Sequence, residues 1–442
     1  MDTLGTERWN MRNAFTDVSA VVAVLAVIAV AGGLLPLAAG WPGPALAVAD
    51  EPRAASSSRP AEAREPTTAK TDPQRALLDL LQVRKAWKIT RGSEKVLVGV
   101  IDNGFDFYHP ALKGKVIPGY YYDGGYHGEF YINMAHGTMM ASIIVAQKRG
   151  QEGMTGLAPG CKVLTASQGM IEHTLLKLRS EWMKEHPDAT PAAALRARGQ
   201  LMRKHRKEIE KFGKDWIRYQ VSGAAKAIRY LVDHRVRVIN FSGYLLRQHC
   251  RSEELWKELE DAFAYAAGKD VVIVLSAGNS GRQAEGYPGK SDMVIVAGAS
   301  DLKDKRWVSE IKLEGMKRSI KQGSDFGKRL TVMAPVESIR VCAPHAPRFY
   351  TCDDGPAGEV KGSFEGAYVA RPSGATSSAA PIVSSLAALV LSARPDLGGR
   401  DVVSIIKAGC DDIGEKGYDI YTGHGRVNFA KTLDLALRYK RQ

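Results

Sequence analysis

The sequence predicts an α/β fold: a mostly parallel central sheet with helices on both faces, extended by a helical hairpin insertion. Two observations lead to this prediction. From Leu77 onward, short segments rich in Val, Ile and Leu alternate with segments of helical periodicity. The apolar segments are continuous rather than interrupted by alternating polar residues, which is typical of strands covered on both faces.

The elements follow one another at the spacing of strand–helix–strand units. The expected strands are Val96–Ile101, Lys162–Ala166, Val236–Phe241, Val271–Ser276 and Met293–Ala297. The expected helices are Ala141–Ala146, Ser222–Val232, Glu253–Ala267 and the long apolar stretch Ile382–Leu391. Ligand chemistry in such sheets takes place at the carboxyl ends of the strands, so the residues that follow each strand are the first candidates for a site.

Length and composition exclude several classes of protein. The chain has 442 residues, of which 45% are hydrophobic and 25% charged, so it is not disordered throughout. Five cysteines are too few for a disulfide-dense miniature scaffold. The net charge of +13 fits an anionic partner without establishing one.

The amino-terminal segment predicts export. Arg8 and Arg12 precede the uncharged, apolar stretch Val18–Ala39, and small residues around Ala47 offer cleavage sites. Residues 1–49 are therefore a cleaved signal peptide in the first interpretation and a membrane anchor in the second. Residues 50–76 are polar and lack aromatic side chains, which indicates a flexible linker. We expect a secreted or periplasmic protein, or one tethered to the membrane by residues 18–39.

Residues 171–219 form a charged insertion. Basic residues outnumber acidic ones, and the densest run is Arg203–Lys207. Apolar residues at helical spacing predict two amphipathic helices, with Thr190 and Pro191 starting the second. A solvated decoration of the domain is the favoured interpretation, and contact with an anionic surface or a partner is the alternative. Nucleic acid is not an expected partner, because interleaved aromatic residues are missing.

Three polar groups follow or begin apolar elements. Asp102 ends the first strand, His136 precedes an apolar helix, and Ser377 lies in a run of small residues that opens the last long helix. Each alone is commonly a turn residue, a helix cap or a packed junction. Together they supply a carboxylate, a base and a nucleophile, the requirements of hydrolysis by an alcohol side chain. Asn279, after the strand Val271–Ser276, adds an amide that can donate to an oxyanion.

These residues lie in motifs that resemble those of the subtilisin-like serine proteases. The order Asp, His, Ser along the chain is also the order found in subtilisin. The resembling segments are Val98–Asp106, His136–Thr138, Asn240–Ser242, Ala277–Asn279, Thr376–Pro381 and Gly423–Asn428. The resemblance extends from about Leu77 to Leu437 and implies a peptidase domain over residues 77–442, interrupted by the insertion.

The resemblance implies a role for each site residue. Ser377 would be the nucleophile, His136 the general base and then acid, and Asp102 the group that orients His136. Asn279 and the Ser377 N–H would bind the oxyanion, and peptide bonds of a protein or peptide substrate would be hydrolysed through an acyl-enzyme. The chemistry would need no cofactor. Structural calcium is common in the family, but the sequence assigns no ligand set, and no zinc-ligand spacing occurs.

The resemblance also implies the substrate-binding residues. They belong to two segments that follow neighbouring strands: Ser242, Gly243, Tyr244, Ser276, Ala277 and Gly278. None of them is acidic, which predicts a preference for apolar rather than basic substrate side chains.

Some positions depart from the family pattern. Ala375 stands where the family has glycine, Met139 and Met140 stand where it has His-Val, and Ser142 replaces another glycine. These departures leave open a catalytically weak homologue that acts as a peptide- or partner-binding module. Hydrolysis of a non-peptide ester is a further alternative. Cys342 and Cys352 are close enough in sequence to bridge one loop, but the pairing of the cysteines stays undecided.

Overall fold

A computed structural model of the chain describes residues 74–107, 109–121, 136–148, 154–167, 185–186, 204, 206–243, 245–311, 320–337, 339–342, 368–370 and 374–441. The expected signal segment and nearly all of the expected linker therefore lie outside the described residues. So does most of the expected hairpin.

A parallel sheet of seven strands forms the centre of the described part, in the order β2-β3-β1-β4-β5-β6-β9. The strands of this sheet are β1 (Leu97–Ile101), β2 (Val116–Tyr121), β3 (Lys162–Ser167), β4 (Val238–Phe241), β5 (Val272–Ser276), β6 (Val294–Ser300) and β9 (Val332–Pro335). Two antiparallel pairs complete the strands: β7 (Val308–Ile311) with β8 (Ile320–Gly323), and β10 (Arg340–Cys342) with β11 (Tyr368–Ala370).

Helices cover both faces of the sheet. They are α1 (Arg75–Leu80), α2 (Val83–Ala86), α3 (His136–Val145), α4 (Arg206–Asp233), α5 (Glu253–Gly268), α6 (Thr376–Ala393), α7 (Gly399–Gly409) and α8 (Phe429–Arg438). Successive strand residues point to opposite cores: Val238 packs with α3 and α6, whereas Ile239 and Phe241 pack with α4 and α5. The predicted fold class is confirmed.

Helix α6 lies in the core that also contains Val238 and α3. Its residues from Ser378 to Leu391 are buried, and burial of each large apolar side chain stabilises the fold by about 1.5–3 kcal/mol. Among the described residues, α6 is the helix long and apolar enough to cross a membrane, but 83% of it is buried inside the protein. It is a core helix, and Ser377 lies in its first turn.

Helix α4 differs from the prediction. The sequence predicts one helix at the end of the insertion and a separate helix at Ser222–Val232, but the structure has one continuous helix of 28 residues. No proline interrupts the segment, and its glycines are tolerated inside a helix at a modest cost in stability. The second half of the insertion therefore continues directly into a core helix, with Ala224, Ile228 and Leu231 buried against the sheet.

Candidate active site

The described site residues gather at one edge of the sheet. Strands β1, β4 and β5 are parallel neighbours, so their carboxyl ends lie side by side. Asp102 follows β1, Ser242 follows β4, and Ser276 is the last residue of β5. This edge is where the topology predicts a site.

Asp102 and His136 are hydrogen-bonded to each other. The imidazole Nδ1 lies 2.9 Å from Asp102 Oδ1 and 2.8 Å from Oδ2. The carboxylate is buried, with only 8% of the residue exposed, and its Oδ1 also accepts from the Asn103 N–H at 2.7 Å. Carboxylate oxygens only accept, so we assign the hydrogen to Nδ1, and Nε2 keeps the lone pair that a general base needs.

The first turn of α3 fixes the position of His136. The N–H groups at a helix start lack partners within the helix and need acceptors from elsewhere. Here the Gly137 N–H donates to the Asn103 carbonyl at 2.8 Å, and the Thr138 N–H donates to the Gly104 carbonyl at 2.9 Å. The loop that follows Asp102 is thus bonded directly to the turn that presents His136.

Gly137 is required for this close approach. A Cβ atom at this position would lie 2.7 Å from the Phe105 ring and 3.0 Å from the Asn103 carbonyl oxygen. Contacts of that length force the loop and the helix apart, so only glycine lets the backbones approach this closely.

Ser377 is the second residue of α6 and is partly exposed. Helix α6 packs against α3, the helix that begins with His136. The residue before the helix, Ala375, has φ −135° and ψ −175°, an extended conformation open to any residue. The alanine at this position therefore introduces no backbone strain at the candidate nucleophile.

Asn279 is linked to the same turn through Thr376. Both the N–H and the hydroxyl of Thr376 donate to Asn279 Oδ1, at 3.0 and 2.7 Å. The Thr376 Oγ1 in turn accepts from the Gly278 N–H at 3.1 Å. Because the amide oxygen is bound by two donors, the Asn279 Nδ2 group is the part left to donate to a substrate oxygen.

Side-chain hydroxyls join the two expected substrate-binding segments. The Ser276 hydroxyl lies within hydrogen-bond distance of the carbonyl oxygens of Ser242, at 3.2 Å, and Gly243, at 3.0 Å. The Tyr287 hydroxyl donates to the Ala277 carbonyl at 2.6 Å. Tyr244 lies outside the described residues. The ends of β4 and β5 thus form one bonded unit whose described polar groups are neutral.

The structure shows what two residues of α3 that differ from the family pattern contact. Ser142 is fully buried, and its hydroxyl donates to the Met139 carbonyl at 2.7 Å and accepts from the Cys342 N–H at 3.0 Å. The serine that replaces glycine therefore fastens α3 to β10. Met139 is buried in the apolar core beside it.

The cysteine bridge left open by the sequence is absent at Cys342. This residue is a free thiol, as are Cys161, Cys250 and Cys410 in the described part of the chain. Burial raises the pKa of the Cys342 thiol to about 12. Cys352 lies outside the described residues.

The described residues offer no metal centre. Within the ranges that the structure covers, no group of three or more His, Cys, Asp or Glu side chains is close enough to hold a metal ion. The described residues therefore provide no such group of side chains for structural calcium either.

Sequence reasoning missed the contacts of two side chains at this edge. Thr376 was visible only as part of a motif, yet it fixes the Asn279 amide. The Ser242 hydroxyl, expected only as part of a substrate-binding strand, contacts the Ser377 carbonyl at 2.9 Å. The position of Thr376 next to the candidate nucleophile was a usable signal. The contact of Ser242 had none, because 135 residues separate the partners.

Comparison with known proteins gives a consistent family assignment. Residues 93–425 match the model described as the subtilase family. A thermophilic serine proteinase of Bacillus sp. strain AK1 is 28% identical over 345 residues, which cover 78% of this chain and 63% of that protein. A probable subtilase-type serine protease of Deinococcus radiodurans is 26% identical over 397 residues, covering 82% of this chain and 44% of that protein. The chain thus spans less than two thirds of the length of both relatives.

Solved structures give the same fold. MycP1 from Mycobacterium smegmatis superposes with a TM-score of 0.53 at 22% identity, covering 81% of this chain and 84% of that one. At this identity the likeness concerns the fold alone.

Proposed function

The chain belongs to the subtilase family, and on that premise we propose that it is an exported serine endopeptidase. In this proposal Asp102, His136 and Ser377 act as a catalytic triad. The substrate is a protein or peptide, and the reaction passes through an acyl-enzyme in which the substrate carbonyl carbon is bonded to Ser377 Oγ.

The proposed steps follow the roles of the three side chains. Nε2 of His136 takes the proton of the Ser377 hydroxyl as Oγ attacks the carbonyl carbon of the substrate. The resulting imidazolium is stabilised by the Asp102 carboxylate through the hydrogen bond at Nδ1. His136 then gives its proton to the leaving amine, and a water molecule repeats the sequence to release the acid.

The oxyanion is stabilised in the proposal by two donors, Asn279 Nδ2 and the Ser377 backbone N–H. The Ser377 N–H belongs to the first turn of α6, where N–H groups lack helical partners and the helix dipole favours negative charge. The two bonds from Thr376 support this assignment, because they hold the Asn279 amide oxygen and leave its N–H groups for the substrate. A donor of this kind is worth about 3 kcal/mol in the transition state.

The observation on which the proposal depends most is the 2.8 Å contact of His136 Nδ1 with Asp102. A histidine that merely began an apolar helix would have no reason to face a buried carboxylate 34 residues away. A binding module would not need this pair. For that reason the endopeptidase is favoured over the catalytically weak homologue.

Labelling with a fluorophosphonate probe tests the proposal. We expect the wild-type chain to be labelled, Ser377→Ala to remain unlabelled, and Ser378→Ala, a matched control one residue along the helix, to react like the wild type. Labelling that survives Ser377→Ala would refute the assignment. Absence of labelling in the wild type would favour the binding module. Digestion of casein then distinguishes a peptidase from an esterase, which would leave casein intact.

Substrate preference and export complete the proposal. The described residues of the segments at Ser242–Gly243 and Ser276–Gly278 have neutral side chains, which supports a preference for apolar substrate side chains; a peptide library cleaved mainly after Lys or Arg would contradict it.

We propose that a signal peptide is removed, and Edman sequencing should find a mature start near Val48 or Asp50. A start upstream of Ala39 would instead support the membrane anchor.

For the charged insertion at residues 171–219, we propose a solvent-exposed addition to the domain, and contact with an anionic surface or a partner is the alternative.

A further inference from the structure

Helix α6 lacks one backbone hydrogen bond at its start. In an α-helix each carbonyl accepts from the N–H four residues later. The residue four positions after Ser377 is Pro381, which lies inside the helix and has no N–H. The carbonyl of the proposed nucleophile therefore cannot be bound by its own helix in the usual way.

The Ser242 hydroxyl takes the place of this missing donor. Its Oγ donates to the Ser377 carbonyl oxygen at 2.9 Å. The same Oγ accepts from Asn240 Nδ2 at 3.0 Å, and Asn240 Oδ1 accepts from the Ser384 hydroxyl at 3.2 Å. Each group in this chain donates in one direction, from Ser384 through Asn240 and Ser242 to Ser377.

The chain of hydrogen bonds is shielded from water. Asn240 and Ser384 are fully buried, and Ser242 is 9% exposed. Water can therefore not easily replace a lost bond, and a buried donor or acceptor without a partner is costly. The chain begins and ends on α6 and passes through the end of β4, so it fixes the first two turns of the helix against the central sheet.

We propose that Ser242 is a positioning residue: its side chain holds the Ser377 carbonyl, and through it the nucleophile, in place of the N–H that Pro381 lacks. This inference rests on the proposed function and extends it to a side chain that contacts the nucleophile's backbone. The hydroxyl of Ser242, which follows β4, supplies the bond that the helix cannot make. The first turn of α6 is thus positioned by a segment that the proposal also assigns to substrate binding. Loss of the hydroxyl lets Ser377 shift, and a shift of about 1 Å can cost about 100-fold in rate.

Ser242→Ala, studied with a fluorophosphonate probe, tests the inference. We expect the maximal labelling rate to fall about 10- to 100-fold while the probe concentration giving half of that rate changes by less than about threefold. Ser385→Ala is the matched control. Ser385 is also fully buried on α6 and donates to the Pro381 carbonyl at 2.7 Å, but it does not contact Ser377. Its labelling rate should stay at the wild-type value.

Pro381→Ala in the Ser242→Ala background provides the decisive comparison. The alanine restores an N–H four residues after Ser377, so the double variant should recover most of the labelling rate. Failure to recover, or a Ser242→Ala variant that reacts like the wild type, would overturn the inference. If Ser242→Ala does not fold, Ser384→Ala, which loses only the distal bond, must still be slower than Ser385→Ala. A wild-type chain that reacts no faster than Ser377→Ala would instead show that the proposed function itself is wrong.

Discussion

The helices α3 and α6 each carry a proposed catalytic residue in their first turn, yet they are anchored in different ways. At the start of α3, backbone N–H groups donate to the carbonyls of Asn103 and Gly104 across a close approach that Gly137 permits. The Thr138 hydroxyl adds side-chain bonds to the same loop, at 3.0 Å to the Gly104 carbonyl and 2.7 Å from the Asp106 N–H. The start of α6 is held by side chains, with Thr376 bonded to Asn279 and Ser242 bonded to the Ser377 carbonyl.

This difference determines which substitutions disrupt each helix start. A backbone contact is insensitive to most side-chain changes but fails when a Cβ atom separates the two segments. A side-chain contact tolerates small steric changes but fails when a single hydroxyl is removed. The start of α3 is therefore sensitive to an added Cβ atom at Gly137, and the start of α6 is sensitive to loss of the Thr376 or Ser242 hydroxyl.

Removal of either proposed catalytic side chain in the two helix starts should abolish nearly all activity. His136→Ala and Ser377→Ala should each lower kcat on a cleaved peptide by on the order of 10⁶-fold, because triad residues act as a unit. The double variant should be no slower than either single one. Exposed His234, changed to alanine, serves as the control and should leave kcat unaltered. Additive losses in the double variant would mean that the two helix starts act independently.

Gly137→Ala tests the close backbone approach between the start of α3 and the loop that follows Asp102. The added Cβ meets the Phe105 ring at 2.7 Å, so we expect α3 to shift and kcat to fall about 100-fold. Gly268→Ala is the matched control, since nothing lies within 4 Å of its Cβ position at the end of α5. If Gly137→Ala keeps the wild-type kcat, the backbone contact is not what positions His136.

Thr376→Val tests the bond between the Thr376 hydroxyl at the start of α6 and the Asn279 amide oxygen. Valine keeps the shape of threonine but lacks the hydroxyl, so Asn279 loses one of the two donors on its amide oxygen. We expect kcat to fall about 10-fold with little change in KM, which is smaller than the loss of the whole oxyanion donor. Thr376→Ser retains the hydroxyl and should recover the rate. A valine variant as fast as the serine variant would contradict the role of this hydroxyl.

The buried thiol of Cys342 tests the contact between α3 and β10. Burial raises the pKa of Cys342 from 9.0 to about 12, so its thiolate fraction at pH 8 is about 1,000-fold below that of an ordinary cysteine. Iodoacetamide at pH 8 should leave native Cys342 unmodified and the activity unchanged, and should react once the protein is unfolded. Rapid alkylation of the native protein, followed by mass spectrometry, would show that the contact between α3 and β10 opens.

The sequence predicted five of the seven strands of the central sheet. Five apolar runs became β1, β3, β4, β5 and β6, because both faces of these strands are buried. Strands β2 and β9, at the two edges of the sheet, were not predicted. Strand β2 contains Pro118 and Gly119, residues that weaken a strand signal. It lies at the edge of the sheet, where its ladder has a register shift between Ile117 and Tyr120. Such positions tolerate proline.

The site was predictable to the extent that chemistry restricts residue types. Asp102, His136, Ser377 and Asn279 could be proposed because few side chains can serve those roles. The supporting hydroxyls could not be proposed, because a buried serine such as Ser242 is common and its partner is defined only by the packing of α6 on the sheet. The continuous helix α4 was missed because the sequence was divided at the end of the insertion, although no proline separates the two halves of the helix.

A crystal structure of the phosphonylated protein would test the assembly of the site most directly. We predict that the phosphorus atom is bonded to Ser377 Oγ, that one phosphonyl oxygen lies within 3.2 Å of Asn279 Nδ2, and that His136 still bridges to Asp102. An adduct on another residue, or a phosphonyl oxygen turned away from Asn279 into solvent, would contradict the proposal that these four side chains form one catalytic centre.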